Sequence, residues 1–178
     1  MVYSHIILLR LRYSGRVETD INLRNRELFG LLKTKHGDLI MGKLHARARI
    51  IQGYEIALDN SRSHCTIADQ PTPTFPGFGP TPLELCVMSH AGCYATIAAL
   101  TAERMRLTLK GCEVKVEAIK SEETGTIAEE TFDITFTLDA SEDRIQRLHD
   151  LTLRSCPVGI LLEKAGVKIN YNLKTNKE

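Results

Sequence analysis

From Leu44 onward apolar and polar side chains alternate one by one, with Leu44, Ala46, Ala48 and Ile50 on one parity and His45, Arg47 and Arg49 on the other. A period of two predicts a half-buried strand. Gln52-Gly53 turns the chain into a second run with Tyr54, Ile56 and Leu58 aligned, and a third strand is predicted over His64–Ala68. Residues 69–80, DQPTPTFPGFGP, carry four of the six prolines and two glycines, so neither strand nor helix is expected there. The period then changes. From Leu83 to Leu100 side chains are apolar or small on nearly every face, interrupted by Glu84, Ser89, His90, Tyr94 and Thr96. Thr81-Pro82-Leu83-Glu84 has the form of a capping box with proline at the first helical position. The predicted helix runs from Pro82 to Lys110 with Gly111 as its C-cap, a rod of about 43 Å at ~1.5 Å per residue. A helix apolar all round is buried on all sides.

Alternation returns after Gly111. Cys112, Val114, Val116 and Ala118 oppose Glu113, Lys115 and Glu117, and Glu123-Thr124-Gly125 turns into a partner strand with Phe132, Ile134, Phe136 and Leu138 aligned. Ser141 opens a helix with Ile145, Leu148 and Leu151 or Thr152 on its apolar side. That helix stops near Ser155, because Pro157 disfavours helical geometry in the residue before it. A short helix follows from Pro157 to Lys164 or Ala165 with Cys156 as N-cap, and Val167, Ile169, Tyr171 and Leu173 form a last strand. The order is β-β-β-α-β-β-α-α-β, an α/β (α+β) chain. A single subunit of this size does not cover a ~43 Å apolar helix on every side, which implies a homodimer.

The boundaries read as an N-terminal extension over 1–40, a domain over 41–174 and a frayed tail over 175–178. Within the extension Thr19-Asp20 caps an expected helix over Ile21–Lys35, and Met41 is a candidate start for the chain proper. A formal charge of +1 leaves no electrostatic footprint for nucleic acid or an anionic membrane. Ile6–Leu9 is too short for a signal core. Leu83–Leu100 approaches a bilayer span but contains Glu84 and His90 between strand patterns, so it reads as a core helix. The expected location is cytoplasmic.

Five cysteines, at 65, 86, 93, 112 and 156, form no CxxC pair. An odd count outside the secretory route argues against a disulfide framework and leaves room for one redox pair. Cys93 lies too deep in its helix for the N-terminal dipole to reach it. Cys156, at an N-cap before Pro157, is on sequence grounds the more acidic thiol. Packing alone accounts for a buried cysteine in general. Glu84 is explained by the capping box, and His90, three residues before Cys93, is either a base or a packed imidazole. Arg47 and Arg49 occupy the polar face of the first strand, no cluster has metal spacing, and no phosphate-binding glycine loop occurs.

The segment PLELCVMSHAGC, with CPVGILLEKAGVKINYNL beginning 63 residues after Cys93, resembles the OsmC/Ohr family of osmotically induced and organic hydroperoxide resistance proteins. The resemblance spans about residues 42–174. It implies an intertwined dimer with antiparallel sheets wrapped around two long central helices and active sites at the subunit interface. In the peroxidase members one cysteine attacks a hydroperoxide and becomes sulfenic acid, a second resolves it as a disulfide, and an external dithiol reopens the bond without any cofactor. Carried over, Cys93 is peroxidatic and Cys156 resolving. The chain departs from that pattern at two places. Leu83 stands where those members have glutamate, with Glu84 one residue on and rotated by ~100°. Of the early arginines Arg49 lies nearer the Gly53 turn than Arg47 and is the candidate for the activating cation. The resemblance thus implies a thiol-dependent peroxidase or related redox protein with Cys93, Cys156, Glu84 and Arg49 in its site. The alternatives are a non-catalytic dimer that binds an apolar small molecule between subunits, and a thiol hydrolase or transferase using Cys93 with His90.

Overall fold

The computed structural model describes residues 43–177, and the extension over 1–40 with its expected helix lies outside them. The described residues fall into two units. The smaller comprises residues 43–47 and 59–64. Arg47 Nε donates to Asp59 Oδ2 at 2.9 Å, and Asn60 Oδ1 accepts the backbone N–H groups of Arg62, Ser63 and His64.

The larger unit holds residues 48–58 and everything from Cys65 on. Its order of elements is the expected one: β1 (Arg47–Gln52), β2 (Glu55–Asp59), β3 (Cys65–Ala68), α1 (Pro82–Arg104), β4 (Gly111–Lys120), β5 (Ile127–Thr137), α2 (Glu142–Ser155), α3 (Pro157–Lys164) and β6 (Lys168–Asn176). The strands form two sheets, β1-β2-β3 and β4-β5-β6. β4 and β5 pair antiparallel as expected, with Val116 opposite Phe132 and Cys112 opposite Phe136. β6 joins β5 in parallel, so this sheet is mixed. The helical crossover α2-α3 allows it, since a parallel neighbour cannot be reached by a tight turn. β6 also continues to Asn176, two residues into the stretch expected to fray, because Phe136 and Thr137 of β5 supply ladder partners for Thr175 and Asn176.

Asp69 organises the proline-rich approach to α1. Its carboxylate accepts the backbone N–H groups of Gln70 at 2.7 Å and Phe78 at 3.0 Å, and its own N–H donates to the Pro80 carbonyl at 3.1 Å. Gly79 passes so close to β3 that a Cβ there would meet the Ile67 carbonyl oxygen at 2.4 Å. The chain then enters α1 through the predicted capping box, with Glu84 N–H on Thr81 Oγ1 at 3.2 Å and Thr81 N–H on Glu84 Oε2 at 2.6 Å.

α1 is shorter than the predicted span from Pro82 to Lys110. It has 23 residues, about 34 Å at ~1.5 Å per residue, and Gly111 is the first residue of β4 instead of a helix cap. The stop is a Schellman motif: Leu107 N–H bonds the Ala102 carbonyl, Arg106 N–H bonds the Glu103 carbonyl, and Arg106 itself takes φ 53°. Leu107 buries itself beside Ala102, which supplies the apolar contact of that motif. Nor is the helix buried on all sides within one chain. The row His90, Tyr94, Ile97, Ala98, Thr101 and Ala102 is buried, while Met88, Gly92 and Ala99 are exposed. By length and composition α1 is apolar enough to cross a membrane, yet its buried row is the spine of the core. Tyr94, Ala98 and Ala102 pack on Phe132, Ile134 and Phe136 of β5, and Ile145 and Leu148 of α2 close the cluster.

Candidate functional site

The site is assembled where the middle of α1 meets the start of α3. Pro157 forces Cys156 into extended geometry, φ −79° and ψ 105°, and so makes it the N-cap of α3. Its sulfur accepts the Gly159 N–H at 3.4 Å. Cys93 projects from the helix across the junction, and the two sulfurs stand 3.2 Å apart with Cys156 as donor. The pair is asymmetric: Cys156 is 2% exposed, whereas Cys93 is half-buried and reachable.

The expected acidity of Cys156 is not what the structure gives. Burial pushes its thiol up to about 12, against the lowering by the Gly159 and Val158 N–H groups, and the contact with Cys93 adds to the rise. Two N–H groups at the start of an eight-residue helix do not offset removal from water. Cys156 therefore holds its proton at neutral pH and Cys93 is the acceptor of the sulfur contact. Of the other thiols, Cys65 is exposed, Cys86 is half-buried, and Cys112 is pushed up to about 11 by burial.

His90 lies behind this pair. Its Nδ1 sits 2.6 Å from Glu130 Oε2, with the two side chains 1% and 0% exposed, and Phe132 meets the ring edge-on at 4.5 Å between centroids. On the other side of the ring, Nε2 would lie 2.9 Å from a Cβ at Gly159, the residue that also binds Cys156. Glu130 Oε1 is buried with no hydrogen-bond partner among the described residues. A second buried pair lies one turn on, where Tyr94 Oη is 2.6 Å from His149 Nδ1. Burial drives the Tyr94 phenol upward and the His149 imidazole downward, so the phenol donates and a neutral imidazole accepts.

The remaining two expected residues are not brought to the sulfurs by this chain alone. Glu84 stays in the capping box, where the Thr81 backbone and side chain hold its carboxyl below the usual range. Arg49 is exposed on β1 and its side chain makes no hydrogen bond or ion pair among the described residues, whereas the Arg47 side chain binds Asp59. Two open grooves flank the first turns of α1. One of about 660 Å³ is lined by Pro82, Glu84, Lys120 and Ile127, and one of about 530 Å³ by Pro76, Val87, Met88 and Val116; neither reaches Cys93 or Cys156. No cluster of three metal-ligating side chains occurs among the described residues.

A family model described as OsmC-like protein matches residues 75–172, from the proline-rich approach into β6. The chain belongs to the OsmC-like family. Among solved structures, the OsmC-like protein from Mycoplasma pneumoniae superposes with a TM-score of 0.69 at 20% identity, covering 75% of this chain and 97% of that one. The organic hydroperoxide resistance protein OhrB of Bacillus subtilis gives 0.53 at 18% identity over 75% and 98% of the two chains. An organic hydroperoxide resistance protein from Elizabethkingia anophelis gives 0.59 at 13% over 76% and 98%. At these identities the likeness is one of fold. No curated protein matches the chain.

In this OsmC-like domain Glu130 is the residue that sequence reading missed. The signal was present: Glu130 shares its parity with Phe132, Ile134 and Phe136, the inward row of β5. A carboxylate on the core-facing row of a strand demands a partner, and His90 on the buried row of α1 supplies it.

Proposed function

We propose that this protein is a cytoplasmic, cysteine-based reductase of organic hydroperoxides that works as a homodimer. The observation that carries the reading is the 3.2 Å approach of a reachable Cys93 to a buried, protonated Cys156. Cys93 thiolate attacks the distal peroxide oxygen; the O–O bond breaks, the alcohol leaves with a proton, and Cys93 becomes sulfenic acid. Cys156 sulfur then attacks Cys93 sulfur; the S–O bond breaks, water leaves, and the disulfide is reopened by an external dithiol. A sulfur separation of 3.2 Å needs little more than 1 Å of travel to reach the ~2.0 Å of a disulfide. A dithiol cycle of this kind belongs in a reducing compartment, which supports the cytoplasmic assignment. The exposed apolar side chains Ile50, Ile51, Tyr54, Phe78 and Met88 support a second copy as the cover of β1 and of the open face of α1. In such a dimer the partner supplies the cation and carboxylate that Arg49 and Glu84 do not bring to the sulfurs within one chain.

The test treats reduced protein with one equivalent of cumene hydroperoxide in the presence of a sulfenic-acid trap and maps the thiols by mass spectrometry. Expected are a Cys93–Cys156 disulfide in the native chain and trapped sulfenate on Cys93 in Cys156→Ser. Cys93 remaining reduced while a small-molecule thiol oxidises would refute the reading.

A further inference from the structure

The two-step cycle leaves a proton unaccounted for. Cys156 must lose its hydrogen to attack, and it is buried among groups that do not invite ionisation. The titratable groups around it are Cys93 and Tyr94 from α1, Tyr171 from β6, and the Glu130–His90 pair from β5 and α1. Tyr94 is committed as a donor to His149, and burial drives the Tyr171 phenol upward, so neither phenol gains from a neighbouring negative charge. His90 is built differently. Its ring is pinned by Glu130 on one nitrogen and by the edge of Phe132, and the other nitrogen faces the first turn of α3. Nε2 and Cys156 Sγ both face Gly159, lying 2.9 Å and 3.5 Å from the point where a side chain there would begin, and the lack of one lets them share that side of the helix turn. A pair kept for packing alone would have both carboxylate oxygens satisfied, yet Glu130 Oε1 has no partner among the described residues. An acceptor with spare capacity, beside an imidazole, is suited to the moment when the ring becomes an imidazolium.

Resting on the two-cysteine reading above, we infer that the His90–Glu130 pair is the proton acceptor for Cys156 during disulfide closure. Cys156 S–H gives its proton to His90 Nε2 as its sulfur bonds to Cys93 sulfur. The hydroxide displaced from the sulfenic acid takes a proton back and leaves as water, so the pair returns to its starting state and no further oxidant or reductant is consumed. Glu130 acts through His90, holding the ring with Nδ1–H toward the carboxylate and stabilising the imidazolium.

The test uses an aromatic disulfide, dithiobis-nitrobenzoate, so that closure is observed without any peroxide. In a full-length chain carrying Cys65→Ser, Cys86→Ser and Cys112→Ala, the reachable Cys93 releases a first equivalent of coloured thiolate. Attack by Cys156 on the mixed disulfide releases a second, and its rate is followed as a function of pH. Expected is a second-phase rate whose pH dependence changes in His90→Gln, and a fall of roughly tenfold or more in that variant and in Glu130→Gln at neutral pH. The first phase, which does not involve the pair, stays within about twofold and reports that each variant is folded. If His90→Gln loses its fold, Glu130→Gln decides, because it keeps an oxygen facing Nδ1–H. Equal second-phase rates overturn the inference, and so does a slower second phase with an unchanged pH profile, which would mark the pair as packing only. A chain that closes the disulfide with this profile yet ignores cumene hydroperoxide loses the peroxidase reading and keeps this one.

Discussion

A methyl group added at Gly159 would press on His90 Nε2 at 2.9 Å and touch Cys156 Sγ at 3.5 Å. His90 cannot swing away, since Glu130 and Phe132 hold it. Alanine gains about 1 kcal/mol over glycine in a helix, but overpacking a tight interior costs about 1–3 kcal/mol. Gly159→Ala is therefore expected to lower stability by roughly 1 kcal/mol in urea unfolding, with a slower closure of the Cys93–Cys156 bond; a variant as stable as the native chain would refute this packing argument. His149 makes a second prediction at this scale. Burial holds its imidazole below the ordinary value, so the unfolded chain binds the proton more readily. The stabilising contribution is complete above ~6.5, the unfolded value, and is lost as pH falls from there toward the folded value, by at most about 1.4 kcal/mol at a pH one unit lower. Urea midpoints measured on both sides of that value should converge in His149→Gln, and an unaltered slope in that variant would rule out His149 as the source.

Among the elements, α1 shows how a local signal is outweighed. Helix-compatible residues continue past Arg104, and the sequence carries no glycine between Arg104 and Gly111 to announce a stop. The chain nonetheless ends the helix at the Schellman motif, with Arg106 at φ 53°, because burial of Leu107 against Ala102 and an Arg144 bond to the Met105 carbonyl at 2.8 Å close the end. A left-handed conformation costs a non-glycine residue about 1 kcal/mol or more. Arg106→Gly should accordingly raise stability by about 0.5–1 kcal/mol, part of the relief being offset by the freer unfolded chain. A lower thermal midpoint in Arg106→Gly would contradict that account of the helix end. The entrance to α1 and the whole of α3 were legible, since Thr81, Glu84, Cys156 and Pro157 act on their immediate neighbours. The parallel alignment of β6 was not, because direction within a sheet is set by where the α2-α3 crossover delivers the chain.

For the whole molecule, the open face of α1 bears Met88, Gly92 and Ala99, and exposed large apolar side chains occur on β1 and in the proline-rich loop. Small residues along a helix allow close approach of a second helix, and Met88, at 57% exposure, is the large apolar side chain in that row. The chain is 19.9 kDa, so light scattering after size exclusion should give about twice that mass. Met88→Glu places a charge in the proposed seam and is expected to shift the species toward the monomer; a native chain that elutes and scatters as a monomer would remove the dimer from the reading.

Alternation and caps by themselves determined the order of all nine described elements, the start of α1 and the N-cap role of Cys156, while the segments PLELCVMSHAGC and CPVGILLEKAGVKINYNL carried the family resemblance that singled out Cys93 and Cys156. These features act over a few residues or recur with a fixed period, and a single chain displays them directly. Only the tertiary structure decided that two sulfurs 63 residues apart stand 3.2 Å from each other, that Cys156 keeps its proton, and that Glu130 is joined to His90. Those facts depend on which helix face meets which sheet face and on how much water the contact expels, quantities that arise when distant segments pack. The N–H groups ahead of α3 were visible in the sequence and pointed to an acidic thiol; desolvation, which no neighbouring residue encodes, reversed the sign.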